Sequence, residues 1–295
     1  MLKDLEMQIK VNSQVNINMH RTEDNHLVES IAYYGDQYNK NIVAITNQIG
    51  CYVGCGFCYV GEQGFKRNIT AEEYLQQVDA VNKELIPDLN TDKRLKVSFC
   101  RAGEPLLNQH TLDGIIQVAD KYYSNLQLVS VMPNKKVSQN LLENIADFAK
   151  DYHKPFQIVI STHTTDEERR REIIPYNSLM TFDEISEFGK YWIGKGNKRK
   201  INLHFALMKG NEVDLTKIKE KFNPDHFAVR LGLYLPSTEE KADNFPPSDL
   251  QRIKEKAKEA RDLGFTTIKS IARPIELKYD VRSHCSFKLL REHWK

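Results

Sequence analysis

Three cysteines lie close together in the segment GCYVGCGFCYVGEQGF, where Cys51, Cys55 and Cys58 have the spacing C-x3-C-x2-C. Three thiolates on one short loop can bind three irons of a 4Fe-4S cubane and leave the fourth iron open. An open coordination position is typical of a reactive metal site rather than a purely structural one. The spacing therefore predicts an iron–sulfur cluster that takes part in chemistry.

A structural zinc site is the alternative for the same cysteines. Zinc in such sites normally has four ligands in a tetrahedron, and the only nearby fourth candidate is Cys100. The chain has five cysteines, an odd number that makes a poor disulfide framework. Phe57 directly before Cys58, and the position of the loop after a strand-like run, favour the cluster over zinc.

A second candidate segment, RAGEPLLN at 101–108, follows another strand-like run. Gly103 and Glu104 at a strand end can offer a close backbone and a carboxylate to an ammonium group. An ordinary turn is the alternative, because Gly and Pro also punctuate loops. The occurrence of this segment one βα unit after the cysteines favours a ligand-binding role.

These residues need a scaffold, and from residue 42 the chain alternates short β-rich runs with helical segments. The runs are IVAIT (42–46), LKVSF (95–99), LQLVSVM (126–132), FQIVIS (156–161), INLHFALM (201–208) and FAVRLGLYL (227–235). Six β-then-α units predict an α/β fold with a parallel sheet, in which chemistry lies at the carboxyl ends of the strands. We expect a short β extension at 1–41 and the main domain at 42–295.

Several helical segments begin with a capping box, in which the side chains of the first and fourth residues satisfy each other's free backbone N–H groups. The predicted pairs are Thr70 with Glu73, Thr165 with Glu168, Thr181 with Glu184, and Ser248 with Gln251. The last long helix is expected to bury Leu250, Ile253, Ala257, Ala260 and Leu263, and to end at Gly264.

The bulk composition excludes few classes of protein. The chain has 295 residues, 40% of them hydrophobic, and a formal net charge of +2, which does not by itself demand a nucleic-acid partner. The N-terminus lacks the apolar core of a signal peptide, and no stretch approaches the roughly 20 apolar residues of a membrane span. We therefore expect a cytoplasmic protein with reduced thiols and no membrane partner.

The two candidate segments together resemble the radical SAM superfamily, whose members use S-adenosylmethionine (SAM). More narrowly, the sequence is similar to the ribosomal-RNA adenine methyltransferases of the RlmN/Cfr type. The resemblance rests on QIGC (48–51), FCYVGEQGFKRNITAEEYLQQV (57–78), RAGEPLLN (101–108), ISTHTTDEERRREIIPYN (160–177) and GFTTI (264–268), within roughly residues 15–290. It implies a partial (β/α)6 radical SAM barrel preceded by a β extension.

The resemblance also implies cofactors and their ligands. It assigns the 4Fe-4S cluster to Cys51, Cys55 and Cys58, and places Gly103, Glu104, Ser130 and Ser161 near SAM. In radical SAM enzymes the open iron chelates the amino and carboxylate groups of SAM, and one electron yields a 5′-deoxyadenosyl radical. The electron would come from a donor such as flavodoxin or ferredoxin.

Cys285, in SHCSFKLL, falls where the family keeps a C-terminal cysteine. By resemblance this thiol accepts a methyl group from one SAM, and a radical derived from a second SAM removes a hydrogen from that methyl. The resulting methylene radical adds to an sp2 carbon of adenine. A free thiol near the chain end, retained for packing, is the alternative for Cys285.

The sequence departs from the family in three places. The family has a cysteine seven residues before the first cluster cysteine, which resolves the protein–RNA adduct, and Ala44 stands there in this sequence. Cys100 could replace that thiol, or could simply be a small apolar residue at a strand end. The family's Asn in Trp-Asn-Pro is Leu235 here, which removes one expected SAM contact. Since only 50 residues precede Cys51, we expect the family's N-terminal helical domain to be absent.

Three functions are therefore compatible with the sequence. The first is a radical SAM methyltransferase of RlmN/Cfr type acting through Cys285 on a nucleotide, a small RNA or a small molecule. The second is a radical SAM enzyme that abstracts hydrogen directly from its substrate and transfers no methyl group. The third is a non-catalytic metal protein that binds nucleic acid, which leaves the Gly-Glu-Pro segment unexplained. Barrel-mouth loops carry no readable code for the substrate.

Overall fold

A computed structural model describes residues 1–12, 15–33, 40–85 and 94–271 of the chain. Three strands come first and pair antiparallel in chain order: β1 (Leu2–Asn12), β2 (Val15–Thr22) and β3 (Leu27–Tyr33). β3 then pairs antiparallel with β4 (Lys40–Ile45). The N-terminal strands therefore extend the sheet that carries the rest of the chain. The domain boundary between residues 41 and 42 stays a prediction.

The remaining strands build the central sheet, apart from one short pair. They are β5 (Gln48–Ile49), β6 (Arg67–Asn68), β7 (Arg94–Phe99), β8 (Asn125–Ser130), β9 (Phe156–Ser161), β10 (Ile201–Leu207), β11 (Phe227–Leu233) and β12 (Thr266–Ser270). β5 and β6 form a separate antiparallel ribbon. The others lie parallel in the order β4-β7-β8-β9-β10-β11-β12. The predicted α/β fold with a parallel sheet is confirmed, and each predicted run forms a strand within two residues of its expected ends.

Helices connect the parallel strands. They are α1 (Tyr59–Glu62), α2 (Ala71–Leu85), α3 (Thr111–Tyr122), α4 (Lys136–Asp151), α5 (Glu167–Ile173), α6 (Phe182–Gly194), α7 (Leu215–Lys221), α8 (Glu239–Asn244) and α9 (Leu250–Asp262), with a 3-10 turn at Pro105–Leu107. The longer helices bury one apolar stripe against the sheet, as Leu142, Ile145 and Ala149 of α4 show. No helix among the described residues has the length and apolarity needed to cross a membrane.

Two of the four predicted capping boxes are present. The Thr70 hydroxyl accepts from the Glu73 amide and the Glu73 carboxylate accepts from the Thr70 amide, and Thr181 makes the same exchange with Glu184. The other two predictions are wrong by one residue, because α5 is capped by Asp166 and α9 by Asp249.

The cause of both errors is chemical. An Asp side chain caps a helix as well as Ser or Thr does, and in each case it stands next to the predicted hydroxyl residue. The α9 prediction is otherwise largely right. Ile253, Ala257 and Ala260 are buried and Leu263 is partly buried, whereas Leu250 at the start of the helix is exposed.

The topology brings the candidate residues to one end of the sheet. The cysteine loop follows β4, the Gly103–Glu104 turn follows β7, and Ser130 and Ser161 are the last residues of β8 and β9. These four strands are consecutive neighbours in the sheet. Because parallel strands end at the same edge, four separate chain segments can contribute to one site there.

The packing of α6 on β11 gives a direct test of the core. A Cβ at Gly189 would lie 2.1 Å from a ring carbon of the fully buried Phe227. We expect Gly189→Ala to lower the free energy of unfolding by about 1–3 kcal/mol, because an added methyl group overpacks a filled core. Urea denaturation measures the change. Gly194→Ala in the same helix is the control, since nothing lies within 4 Å of its new Cβ, and equal losses in both variants would contradict the packing.

Candidate active site

The cysteine loop is a tight turn closed by the β5–β6 ribbon. Gly50 has a φ of +73°, and a Cβ there would lie 1.6 Å from the carbonyl oxygen of Gly64, so only glycine fits this position. Within the loop the Cys58 amide donates to the Cys55 carbonyl at 3.0 Å. Cys51, Cys55 and Cys58 are each free and half-buried. The loop thus presents its thiols from a fixed backbone.

Burial makes these thiols hard to ionise. It raises the pKa of Cys51 to about 12, with further upward contributions from Cys58 and Glu104. Burial also raises the pKa of Cys55 well above its usual value, and the neighbouring Cys58 and Cys51 add to the effect. The pKa of Cys58 is raised by burial as well. The three sulfurs are therefore close enough to feel one another's charge.

Several groups around the loop favour negative charge on sulfur. The amides of Val53 and Gly54 lie where they can donate to Cys51, and those of Val60 and Gly61 where they can donate to Cys58. Two cations, Lys241 first and then Arg101, also favour the thiolate of Cys58. N–H donors and cations around sulfur are the features by which proteins tune Cys-ligated metal centres.

The Gly103–Glu104 turn is attached directly to the segment that leads into the cysteine loop. The Gln48 amide donates to the Ala102 carbonyl at 3.0 Å, and the Glu104 amide donates to the Gln48 Oε1 at 3.0 Å. Gly103 has a φ of +90°, and a Cβ on it would lie 2.4 Å from the Gln48 Cβ. The position therefore requires glycine, because the two segments touch through it.

The Glu104 carboxylate is buried and well supplied with donors. It accepts from the Leu106 amide at 3.0 Å, from the Val131 amide at 2.9 Å and from the Ser130 hydroxyl. Burial nevertheless raises the pKa of this carboxyl to about 7. A positive charge placed beside this carboxyl would lower its pKa and favour its ionised form.

Ser161 lies half-buried at the end of β9, in register with His204 of β10. The chain then turns through Thr162 and His163, whose amides both donate to the His204 carbonyl, at 2.9 and 3.1 Å. His163 is buried with a φ of +63°, and its Nδ1 accepts from the Ala206 amide at 3.2 Å. Its ring stands edge-on to Phe57, with centroids 4.8 Å apart. The end of β9 therefore contacts the cysteine loop.

The positions at which the sequence departs from the family also lie near this edge. Ala44 is buried in β4 opposite Ser98 of β7, and Cys100 is half-buried just beyond the end of β7. Leu235 is half-buried two residues after β11. Cys285 lies outside the described residues.

Two buried basic residues at the site are not apparent from the sequence. Arg170, the middle residue of the RRR run at 169–171, donates to the carbonyls of Met180 at 2.7 Å and Val131 at 2.8 Å. Arg101 donates to the carboxylate of Glu29 on β3, with an Nε–Oε1 distance of 2.6 Å. Both side chains bind other groups of the protein rather than facing solvent. Their burial, which only the structure shows, identifies them as part of the site.

The raised pKa of Glu104 gives a stability prediction for the cofactor-free protein. The folded state holds this proton up to about pH 7, whereas the unfolded carboxyl loses it near 4.5, so stability falls as pH rises through that interval. We expect the difference in unfolding free energy between wild type and Glu104→Gln to change by about 2.5 kcal/mol between pH 5 and pH 8. Denaturation at both pH values measures it. Other titrating groups, such as the buried His20, occur in both proteins and cancel, and a pH-independent difference would contradict the assignment.

Comparison with known proteins places the chain among relatives. No protein-family model matches it. It is 28% identical over 190 residues to the dual-specificity RNA methyltransferase RlmN of Ruthia magnifica subsp. Calyptogena magnifica, which covers 64% of this chain and 51% of that protein. It is 25% identical over 272 residues to a probable dual-specificity RNA methyltransferase RlmN of Clostridium botulinum, which covers 89% of this chain and 72% of that protein. The chain thus spans about half the length of several curated relatives that it matches.

The fold has a counterpart among solved structures. A radical SAM methyltransferase from Sphaerobacter thermophilus superimposes with a TM-score of 0.76 at 18% identity, over 97% of this chain and 80% of that one. The predicted partial-barrel architecture is confirmed by this likeness. The chain is therefore related in sequence to the RlmN-type RNA methyltransferases and has the fold of a radical SAM methyltransferase.

Proposed function

We propose that the chain is a radical SAM enzyme that cleaves SAM reductively at a 4Fe-4S cluster held by Cys51, Cys55 and Cys58. The observation that carries this proposal is the joining of two motifs at one sheet edge. The three thiols lie within electrostatic range of one another and of the buried Glu104 carboxylate. Gln48 accepts a hydrogen bond from the Glu104 amide and so links the two loops. A structural zinc site would account for the cysteines but not for Glu104. An ordinary strand-end turn would account for the Gly103–Glu104 segment but not for the cysteines.

The residues present suit an iron–sulfur cluster. The loop supplies thiols, backbone N–H donors directed at sulfur, and neighbouring cations, which together match a polynuclear group with net negative charge. In the described part of the chain, no group of three His, Cys, Asp or Glu side chains is arranged so that it could hold a metal ion. The preference for a cluster over zinc therefore rests on the C-x3-C-x2-C spacing and on the Glu104 turn beside it.

Gly103, Glu104, Ser130 and Ser161 are the proposed SAM contacts. When bound, the cluster would supply the electron that breaks the sulfonium bond of SAM. Glu104 offers a buried carboxylate to the ammonium of SAM, and a cation there would favour its ionised form. Gly103 would bring backbone close to the ligand, Ser130 donates to the Glu104 carboxylate, and Ser161 at the end of β9 would also lie near SAM. The buried ring of Phe57 packs edge-on against His163 beside this loop.

Methyl transfer of the RlmN/Cfr kind is the finer part of the proposal. The RlmN relatives support it, and Cys285 would carry the methyl group. Ala44 removes the thiol that the family uses to release its product, and the half-buried Cys100 on the adjacent chain segment is the candidate to replace it. Direct hydrogen abstraction without methyl transfer is the second candidate function, and the buried Ala44 favours it because no resolving thiol stands there.

The substrate and partners follow the same reasoning. The relatives' names support an RNA or nucleotide substrate, and a small molecule is the alternative. A one-electron donor such as flavodoxin or ferredoxin would reduce the cluster, and free thiols of this kind fit a reducing, cytoplasmic location.

An aromatic rim of Tyr52, Phe65 and Tyr176 borders the site, with the Tyr52 ring 5.3 Å from Phe65 and 6.2 Å from Tyr176.

One experiment separates these functions. The protein is reconstituted anaerobically with iron and sulfide and given SAM and dithionite, and both products and intact mass are measured. We expect a 4Fe-4S absorption spectrum, 5′-deoxyadenosine, and a methyl adduct that Cys285→Ala abolishes. Cys55→Ala should lose iron and product, because three cysteine ligands are needed. Cys100→Ala should retain the cluster, whereas a zinc site with Cys100 as fourth ligand would lose its metal.

The other outcomes are equally informative. 5′-Deoxyadenosine with an unmodified protein and no S-adenosylhomocysteine would support direct hydrogen abstraction. Absence of both iron absorption and products would contradict both radical functions and leave the non-catalytic metal protein.

The aromatic rim gives a prediction about the substrate. Tyr52 is 60% exposed beside Cys51, and Tyr176 lies near enough to feel the charge of Glu104. Because stacking on an aromatic ring contributes about 1–3 kcal/mol per base, Tyr52→Ala should weaken binding of an adenosine-containing oligoribonucleotide by roughly 5- to 150-fold. Fluorescence anisotropy measures this. Tyr123→Ala is the matched control, since Tyr123 is 53% exposed but precedes β8 at the opposite end of the sheet; equal losses would refute a specific platform.

A further inference from the structure

The segment after β11 reaches across the site to the cysteine loop. The Tyr234 hydroxyl donates to the Phe57 carbonyl at 2.7 Å, and the Lys241 ammonium donates to the Gly56 carbonyl at 2.6 Å. Donor and acceptor are 177 and 185 residues apart in the chain. Both carbonyls lie between Cys55 and Cys58, so two consecutive peptide groups of the loop are held from a distant segment. We call Tyr234 and Lys241 the clasp.

Lys241 is unusual for a lysine because it is only 9% exposed. A buried ammonium is costly unless it is paired and hydrogen-bonded. Lys241 meets both conditions, with the Gly56 carbonyl on one side and a Glu62 carboxylate oxygen at 2.7 Å on the other. Its own backbone is fixed, since its amide donates to the Thr238 hydroxyl that caps α8 at 3.1 Å. The start of α8 therefore fixes the backbone from which the Lys241 side chain extends to the cysteine loop.

Apolar packing reinforces the clasp. Phe57 stands edge-on to Tyr234 and to Phe245, with ring centroids 6.1 and 6.2 Å apart. A Cβ at Gly56 would lie 3.1 Å from the Phe245 ring, so the loop backbone and this ring are already in contact. On the other side the Gly56 amide donates to the Ile173 carbonyl at 2.9 Å. Both backbone polar groups of Gly56, its amide and its carbonyl, are therefore hydrogen-bonded to distant segments.

The clasp also brings charge to the site. The Lys241 ammonium lies 2.6 Å from the carbonyl oxygen of Gly56, which directly follows Cys55 in the loop. A buried charge is poorly screened by solvent. Reduction adds one negative charge to an iron–sulfur cluster, and local charge, hydrogen bonds and exposure set its potential. A buried ammonium one peptide away therefore favours the reduced state.

We propose that Lys241 is a positioning residue of the cysteine loop: it fixes the Gly56 peptide in the conformation that receives the cluster, and its charge raises the reduction potential of that cluster. The second half rests on the proposed function. The first half holds for the chain with or without the cluster, so the two can be tested separately.

Amide hydrogen exchange on the full-length, cluster-free chain tests the fixing of the loop. Lys241→Met keeps the length of the side chain but removes the ammonium, and Tyr234→Phe removes only the other donor. We expect exchange in a peptide covering residues 50–62 to become at least threefold faster in each variant, because protection reports local opening. Peptides from β9 and α4 should keep their wild-type rates, which separates a local effect from a loss of global stability.

Lys258→Met is the matched control. Lys258 is 75% exposed on α9 and pairs with Asp262 at 2.8 Å, so this variant also loses a lysine and an ion pair. It should leave the loop peptide unchanged. Unchanged exchange in Lys241→Met would overturn the proposal whatever Tyr234→Phe does, as would an equal acceleration in Lys258→Met.

Potentiometric titration followed by electron paramagnetic resonance tests the charge. In reconstituted Lys241→Met, we expect the ratio of reduced to oxidised cluster at a fixed potential to fall about tenfold, a shift of about 59 mV for one electron. Glu62→Gln should shift the ratio the opposite way, because it removes the carboxylate that offsets the same ammonium. Shifts of the same sign in both variants, or none, would overturn the charge effect. A wild-type chain that binds no iron would refute the proposed function, while hydrogen exchange would still decide the fixing of the loop.

Discussion

The candidate site at the carboxyl end of this sheet depends on one constraint, which is that several groups that become negative when ionised are buried together. Three thiols and the Glu104 carboxylate are buried at this edge, burial raises the pKa of all four groups, and the charges of Cys58 and Glu104 raise the pKa of Cys51 and Cys55 further. Without a bound cation such a site is neutral and costly to ionise. Positively charged groups relieve that cost, which is why the irons of a cluster and the ammonium of SAM are the ligands that this environment suits.

The scaffold satisfies this constraint by drawing on widely separated parts of the chain. β4 delivers the thiols, β7 delivers Glu104, and the end of β8 delivers the hydroxyl of Ser130 that donates to Glu104. Arg170 on α5 then holds the carbonyl of Val131, whose amide donates to the same carboxylate. Hydrogen bonds link the ends of neighbouring strands, so the buried Glu104 carboxylate already has its donors before any ligand binds.

Much of this arrangement could be predicted from the sequence because it is encoded locally. The apolar runs located the parallel strands, and their order placed the cysteines and Glu104 at one edge. Local rules failed where two adjacent residues compete for one role, as when Asp166 caps α5 in place of Thr165. They also failed for long-range contacts. Nothing near Lys241 in the sequence indicates that it is buried against Gly56, because that contact joins residues 185 positions apart.

Arg101 shows how a change in one loop is coupled to a distant strand. Arg101 lies in the turn after β7, two residues before Gly103, and its positive charge favours the thiolate of Cys58. Its guanidinium is buried against the carboxylate of Glu29 on β3, which is itself almost fully buried. Removing one member of such a pair leaves an uncompensated buried charge, at a cost of about 3–5 kcal/mol. The N-terminal strands are therefore more than an edge of the sheet, because β3 neutralises a charge that the cysteine loop experiences.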